Sequence, residues 1–440
     1  MTQDDLVIEL MQRLNEPAGR YGELERYYQG RQALAFLSPE AKTALGSRFG
    51  RIASNIPRLT VTALAERLRI TGFSDPSLWP EWVRLNMDQQ SGIAHRESLL
   101  LGDSYVWVWA DAAGRPKVTI ESAKQVAVQI DPGSREITAA VKRWETKTTT
   151  EGVLLLPDRI VRLRAEQTGA TVHGYNVVDE IRNPLRTVPV VALRNSDRIL
   201  DDYGCSEIDD LMPLVDGLNK SLADMLVASE YTARPRRWAT GIELTEIPVL
   251  DENGDETGET EEANPIPEGN RAMISENDNA KFGQLAGADL TGYETAVNVL
   301  LGQIMAVSAL PAHYIGVMHD QPTSADSLRA AEASLAARAE NRQQIFGRSW
   351  EQVAKLMIAI RDGRTPDQID DIGVQWADAA TRSVAQEADA VVKLHQAGIL
   401  PTSYALAKLG YSDDEIVKIR AARRTESLDA QGVDLSRLVS

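Results

Sequence analysis

The spacing of apolar residues along this chain alternates between two periods, and each change marks a boundary. Near the N-terminus the period is helical. Segments 6–14, 21–29 and 57–68 place apolar residues three or four apart, with Leu59, Leu64, Ala65 and Leu68 on one face of the last. Gly72 and Asp75-Pro76 end that stretch. From Ser104 the period is two: in Tyr105-Val106-Trp107-Val108-Trp109 the rings fall on one side of a strand and the valines on the other. Similar runs follow at 117–120, 125–130, 137–144, 159–164, 172–178 and 188–193, with turn residues such as Asp131-Pro132-Gly133 and Asn183-Pro184 between them. They predict one β-rich unit folded as an antiparallel meander.

After Gly204 the helical period returns. Ser206 suits an N-cap, and Ile208, Leu211, Met212, Val215, Leu218, Leu222, Met225 and Leu226 form a continuous stripe that Pro213 is expected to bend near its start. A second helix is predicted over 291–309, with Tyr293, Val297, Leu300, Leu301, Ile304 and Val307 aligned. Leu211, Val215, Leu218 and Leu222 of the first are expected to pack against Val297, Leu301 and Ile304 of the second. The stretch 235–288 between them has short strand-like runs and an acidic centre, so two matched helices bracket an inserted module. A longer helix is predicted over 325–361, with Thr323 or Ser324 as cap and Gly363 past its end. A strand-like piece at 372–376 and short helices at 384–396, 402–409 and 413–423 complete an α+β fold.

Composition narrows the classes. The 440 residues carry a formal charge of −17, opposite to the basic surface by which a duplex binder gains affinity through counterion release. Any dealing with DNA should be passage rather than grip. The N-terminus, Met1-Thr2-Gln3-Asp4-Asp5, is unlike a signal peptide, and the most apolar stretch, 296–310, is interrupted by Asn298, Gln303 and Ser308. Neither a leader nor a membrane span is expected. The single cysteine, Cys205, excludes an intrachain disulfide, fits a reducing compartment, and reads as a small residue ahead of a helix.

Candidate chemistry is sparse. His95, His173, His313, His319 and His395 lack metal-ligand spacing, and no phosphate-loop, dinucleotide or nucleophile-elbow motif is present. No metal, cofactor or catalytic residue is expected, and the chain is read as no enzyme. The acidic run 251–262 places Asp251, Asn253, Asp255, Thr257, Glu259 and Glu262 at the spacing of calcium-loop ligands. Its sixth position is Glu256 rather than glycine, and Pro248, Pro265 and Pro267 break the flanks, so it reads as a solvated hairpin tip. A helix-turn-helix reading of the C-terminal helices fails on Asp413-Asp414-Glu415, which would face a polyanion.

Several segments in order resemble the portal proteins of long-tailed phages, in the branch common among phages of actinobacteria. They are Tyr27-Tyr28-Gln29-Gly30-Arg31 to Leu37-Ser38-Pro39, Asn55-Ile56-Pro57-Arg58 through Ala65-Glu66-Arg67-Leu68 to Thr71-Gly72-Phe73, Ser308-Ala309-Leu310-Pro311-Ala312-His313-Tyr314-Ile315-Gly316, Ser324-Ala325-Asp326-Ser327-Leu328-Arg329-Ala330-Ala331-Glu332, and Ala397-Gly398-Ile399-Leu400. The resemblance implies a wing at 1–204, stem helices at 205–234 and 289–310, and a clip at 235–288. It further implies a channel-facing loop region at 311–324, a long helix with a return to the wing at 325–383, and a crown with a C-terminal tail at 384–440. Val317, Met318, His319, Asp320, Gln321, Pro322 and Thr323 would line the DNA channel. Implied partners are further copies in a ring, a dodecamer in this family, with the major capsid protein, the terminase packaging motor, the head–tail adaptor and double-stranded DNA passing without sequence specificity. No membrane is implied, and the place would be a capsid vertex of the virion, with the host cytoplasm before assembly. The acidic run is long for a compact clip. Another head–tail structural or adaptor protein, or an acidic cytosolic enzyme, are the competing readings.

Overall fold

The computed structural model describes residues 2–33, 53–196, 198–199, 203–233, 237–241, 245–250, 256–263, 279–284, 290–316, 325–380, 384–409, 411 and 413–431. Two compact units are formed, one from 1–15, 62–204 and 309–440, the other from 16–61 and 205–308.

In the first unit the runs of the single expected meander divide between a three-stranded and a five-stranded sheet. β2 (Asp103–Ala110) lies between β3 (Pro116–Ser122) and β9 (Val190–Arg194), with Tyr105 opposite Ala192. The last run of the expected meander therefore returns to its first. The runs between them form a second sheet in chain order: β4 (Val126–Ile130), β5 (Ile137–Glu145), β6 (Thr150–Leu155), β7 (Arg159–Ala165) and β8 (Asn176–Arg182). Sequence periodicity passes over β6 because all six of its residues are buried, which removes the alternation, and Gly152 is a weak strand former. The strand expected at 172–178 lies at 176–182 instead, an edge strand exposed along its whole length. Helix α1 (Gln3–Asn15) covers this sheet, burying Val7, Leu10, Met11 and Leu14 against Ala127, Val141, Leu154 and Leu163. At about 1.5–3 kcal/mol for each large apolar side chain buried, that face anchors the helix.

A second core forms where α5 (Met87–Leu101) and the long helix α9 (Ala325–Asp362) pack on the β3-β2-β9 sheet. Polar residues Ser91, His95 and Ser98 occupy core positions of α5, so its apolar pattern is weak in sequence. Trp350 of α9 is fully buried and donates from Nε1 to His95 Nε2 at 2.7 Å. The His95 ring stacks on Phe346 at 5.5 Å and 3° between planes. Trp82 of α4 (Trp79–Arg84) meets Trp350 edge-on at 5.3 Å and Phe73 of β1 (Ile70–Phe73) at 5.0 Å. β1 pairs with β14 (Val374–Trp376), and Trp376 also reaches His95. Burial pushes the His95 imidazole down to about 3, so the ring is neutral and accepts from the indole. The same unit ends in α10 (Val384–Gln396), α11 (Thr402–Lys408) and α12 (Asp413–Gln431), the last longer than the 413–423 expected.

The chain leaves this unit at a locked glycine. A Cβ on Gly204 would sit 1.9 Å from the Gly102 carbonyl oxygen. The Asp103 carboxylate accepts from Gly204 N at 2.8 Å and from Arg194 Nε at 2.9 Å.

The second unit contains α2 (Ala18–Tyr28), the first part of α3 (Ile56–Ala65), and the helices α6 (Met212–Ala233) and α7 (Thr291–Ser308). Ser206 caps no long helix. It closes a single turn ahead of a short 3-10 segment, Asp209–Leu211, and α6 begins at Met212. Pro213 thus stands in the first turn of α6, where its missing N–H costs nothing, and is not the expected bend. Between α6 and α7, β10 (Arg237–Thr240) pairs with β13 (Lys281–Gln284), and β11 (Thr245–Leu250) forms an antiparallel hairpin with β12 (Glu256–Ala263). Much of the acidic run is therefore strand, Glu256 to Glu262, rather than loop. Extended backbone there is incompatible with the tight turn a calcium loop makes at its sixth position. Residues 251–255 lie outside the described residues.

Candidate functional site

Two places bear on the residues the sequence singles out. The first, in the second unit, is the α6–α7 pair. The foot of α6 is fixed from outside the pair. Tyr27 donates its hydroxyl to Asp216 Oδ2 at 2.7 Å, and Ser54 donates from both N and Oγ to Asn219 Oδ1 at 2.9 Å. Burial, then the Asp216 bond, raise the Tyr27 phenol far above its usual range, so it stays a donor. Arg20 pairs with Asp209 just ahead of the helix. Leu211, Val215 and Leu218 are buried, as is Ile304 of α7, while Leu222, Val297 and Leu301 are half-buried. Gly217 lets Leu300 approach to 3.5 Å of where a Cβ would stand. Further along, Leu226 is 40% exposed and Val299 59%.

The second place, in the first unit, is the pair of chain ends that border the expected channel loop. Val317, Met318, His319, Asp320, Gln321, Pro322 and Thr323 lie outside the described residues; their borders do not. After α7 the chain turns at Ala309, whose φ is 58°, buries Leu310, and forms the single turn α8 (Ala312–Ile315) ending at Gly316 with φ 78°. Arg67 gathers both borders. Its Nη2 donates to Glu332 Oε2 of α9 at 3.1 Å and to the Tyr314 hydroxyl at 3.3 Å, and its Nη1 donates to Ala379 O at 2.7 Å. His313 Nε2 stands 3.4 Å from the other Glu332 oxygen. Gln343 Nε2 donates to Arg67 O and Ala377 O, both at 3.0 Å. The Arg67 and Glu332 side chains are each 11% exposed, so removing one leaves a nearly buried charge, a loss of about 3–5 kcal/mol.

Arg67, Tyr314 and Glu332 were not read from the sequence as site residues. A signal was there: they belong to three of the separate segments that carry the family resemblance, and the fold brings those segments together. Among the described residues no group of three histidine, cysteine or acidic side chains could hold a metal, and no helix is long and apolar enough to cross a membrane. Cys205 is exposed.

The Arg67 network ties together segments from three distant parts of the chain. The family model described as phage portal protein, SPP1 Gp6-like, matches residues 10–428. The chain belongs to that family, which is structural. It is 28% identical to the portal proteins of Mycobacterium phage L5 and Mycobacterium phage D29, over 404 residues covering 86% of this chain and 80% of each relative. A chain in the neck of an empty gene transfer agent particle, computed with C6 symmetry, shares the fold with a TM-score of 0.50 at 14% identity, covering 89% of this chain and 93% of that one.

Proposed function

We propose that copies of this chain close into a ring, twelve-fold, at one capsid vertex, and that double-stranded DNA is packaged and ejected through its centre. In this reading the wing is 1–204 with the return in 325–383, the stem is α6 with α7, the clip is 235–288, and the crown is 384–440. The observation that carries it is the incomplete burial of the helix pair. Its foot is packed within one chain, yet Leu226, Val299 and Val307 remain exposed on a family member whose contacts can close by rotation. The capsid protein, the packaging motor and the head–tail adaptor dock on its outer surfaces, and the subunit performs no chemistry of its own. A ring of twelve would carry a formal charge on the order of −200, which repels phosphates and lets DNA slide.

Negative-stain imaging of the purified protein is expected to show rings with a central hole; uniform monomers would overturn the reading. The loop 317–323 is assigned to the constriction, with Arg67 anchoring both its borders. In a Cys205→Ser background, a bulky thiol adduct at Asp320→Cys should stop DNA packaging while rings still assemble. Normal packaging with every subunit modified would remove the loop from the channel.

A further inference from the structure

The chain is acidic as a whole, yet one cleft in its C-terminal region is lined by arginines, two hydroxyls and a proline, with no carboxylate among its lining residues. It lies between α11 and α12, has a volume of about 400 Å³, and is bordered by Pro401, Thr402, Ser403, Arg420, Arg423 and Arg424. The three arginines stand at i, i+3 and i+4 of α12 and so share one face of the helix. Val391 of α10, Ala405 of α11 and Ile416 of α12 are each buried. The loop entering α11 is fixed by His395 Nδ1 at 2.8 Å from Leu400 O and by Ala405 N bonding to Pro401 O at 3.0 Å. The guanidiniums therefore project from packed helices.

The charge of Arg420 and Arg423 is not neutralised among the described residues. Arg423 Nη1 reaches only Thr402 Oγ1, at 3.5 Å, and among the described residues neither Arg420 nor Arg423 has a carboxylate within ion-pair distance. Glu426, one turn further on, does not border the cleft. Elsewhere in the chain exposed arginines do find acids: Arg159 lies 3.7 Å from Glu180 and Arg164 2.7 Å from Glu151. Two unneutralised guanidiniums converging with two hydroxyls in a protein of charge −17 call for an anion from outside the chain.

We propose that this cleft binds the phosphodiester backbone of DNA, so that each subunit offers the DNA one point of grip on a surface that otherwise repels it. The proposal rests on the portal reading above, which supplies the DNA. Guanidinium forks match phosphate oxygens two at a time, and serine and threonine hydroxyls are common phosphate donors. From Arg420 to Arg424 the helix rises about 6 Å, against about 3.4 Å of axis per phosphate on one strand, so the row spans roughly two phosphates. The contact reads no base edges and gives no sequence preference. Repeated around a ring, a weak site gains avidity without new contacts.

The test is fluorescence anisotropy of a short labelled duplex against the full-length protein over a salt series, with ring assembly of each variant followed by electron microscopy. Wild-type affinity should fall steeply with salt. The double variant Arg420→Ala, Arg423→Ala should bind on the order of tenfold more weakly, with a salt slope shallower by about 1 for each arginine removed. Lysine at both positions should restore the slope. Unchanged affinity and slope in the alanine variant would overturn the proposal, and so would inorganic phosphate competing as well as unlabelled duplex, which would make the cleft a simple anion site. Loss of ring assembly in the alanine variant, restored by carboxylate-compatible lysines without any effect on DNA binding, would assign the arginines to a neighbouring copy and equally overturn it. Intact rings that ignore DNA would sink this inference and leave the portal reading standing; monomers that bind DNA through these arginines would do the reverse.

Discussion

The core around Trp350 and the α6–α7 pair are both helical packings, and they differ in how completely one chain satisfies them. Around Trp350, rings from α4, α5, α9 and the β1–β14 pair close on one another, and Trp82, His95, Phe346 and Trp350 have no exposed surface. In the pair, the large side chains of the α6 stripe go from buried Leu211, Val215 and Leu218 through half-buried Leu222 to exposed Leu226, and Val307 of α7 is exposed as well. The lesson is one of division of labour. The aromatic core is satisfied within one chain, while the helix pair leaves Leu226 and Val299 exposed, the surface that the proposed ring would use.

Five variants and a change of pH separate those roles. Leu218→Asp should cost the most, upwards of ~4 kcal/mol, because it sets an unpaired carboxylate in a closed site, and Leu222→Asp should cost clearly less because water reaches it. Equal losses in urea unfolding would mean that the burial gradient along α6 is wrong. Trp350→Ala should destabilise by about 3–5 kcal/mol through the cavity it leaves, and should remove the buried acceptor's partner at His95 as well. A loss under about 1 kcal/mol would show a core that collapses freely.

Acid should loosen the aromatic core next. The His95 imidazole is held near 3 in the fold against about 6.5 unfolded, so the neutral ring is favoured by folding. Its contribution is fully present above pH 6.5 and is lost as pH falls from there toward 3, with about 2 kcal/mol gone by pH 5. His95→Gln should flatten the stability profile in that window; an unchanged profile would place the titration elsewhere. Smallest in the single chain is Leu226→Ser with Val299→Ser, expected within about 0.5 kcal/mol in unfolding because both sites are exposed. The same variant should lower the yield of rings in analytical ultracentrifugation, and full ring yield would show that the ring does not use this surface.

Much of the fold was legible because period and punctuation are local. The helix pair, the long helix from Ala325, the strand carrying Tyr105 to Trp109 and the boundary at Gly204 all follow from spacing and turn residues. The order of segments also pointed to the family, whose model matches residues 10–428. What escaped did so for non-local reasons. β6 is buried on both faces and loses its alternation, and α5 carries serines and a histidine inward because their partners are supplied from far along the chain, as Ser98 Oγ shows by bonding Leu193 O at 2.8 Å.

The candidate site divides the same way. Periodicity alone picked Leu211, Val215, Leu218 and Ile304 as apolar positions on one face, since a helix repeats every 3.6 residues whatever surrounds it. It could not rank them against Leu222, Val297 and Leu301, whose exposure depends on where α2 and residues 53–55 brace the foot of α6. Nor could it pair Arg67 with Glu332 and Tyr314, because an ion pair across 265 positions leaves no local trace. Sequence settled which surfaces are apolar or charged, because side-chain chemistry and helical spacing are properties of the chain itself. Only the tertiary structure decided which of those surfaces are already used, because burial and pairing depend on what the rest of the fold brings alongside.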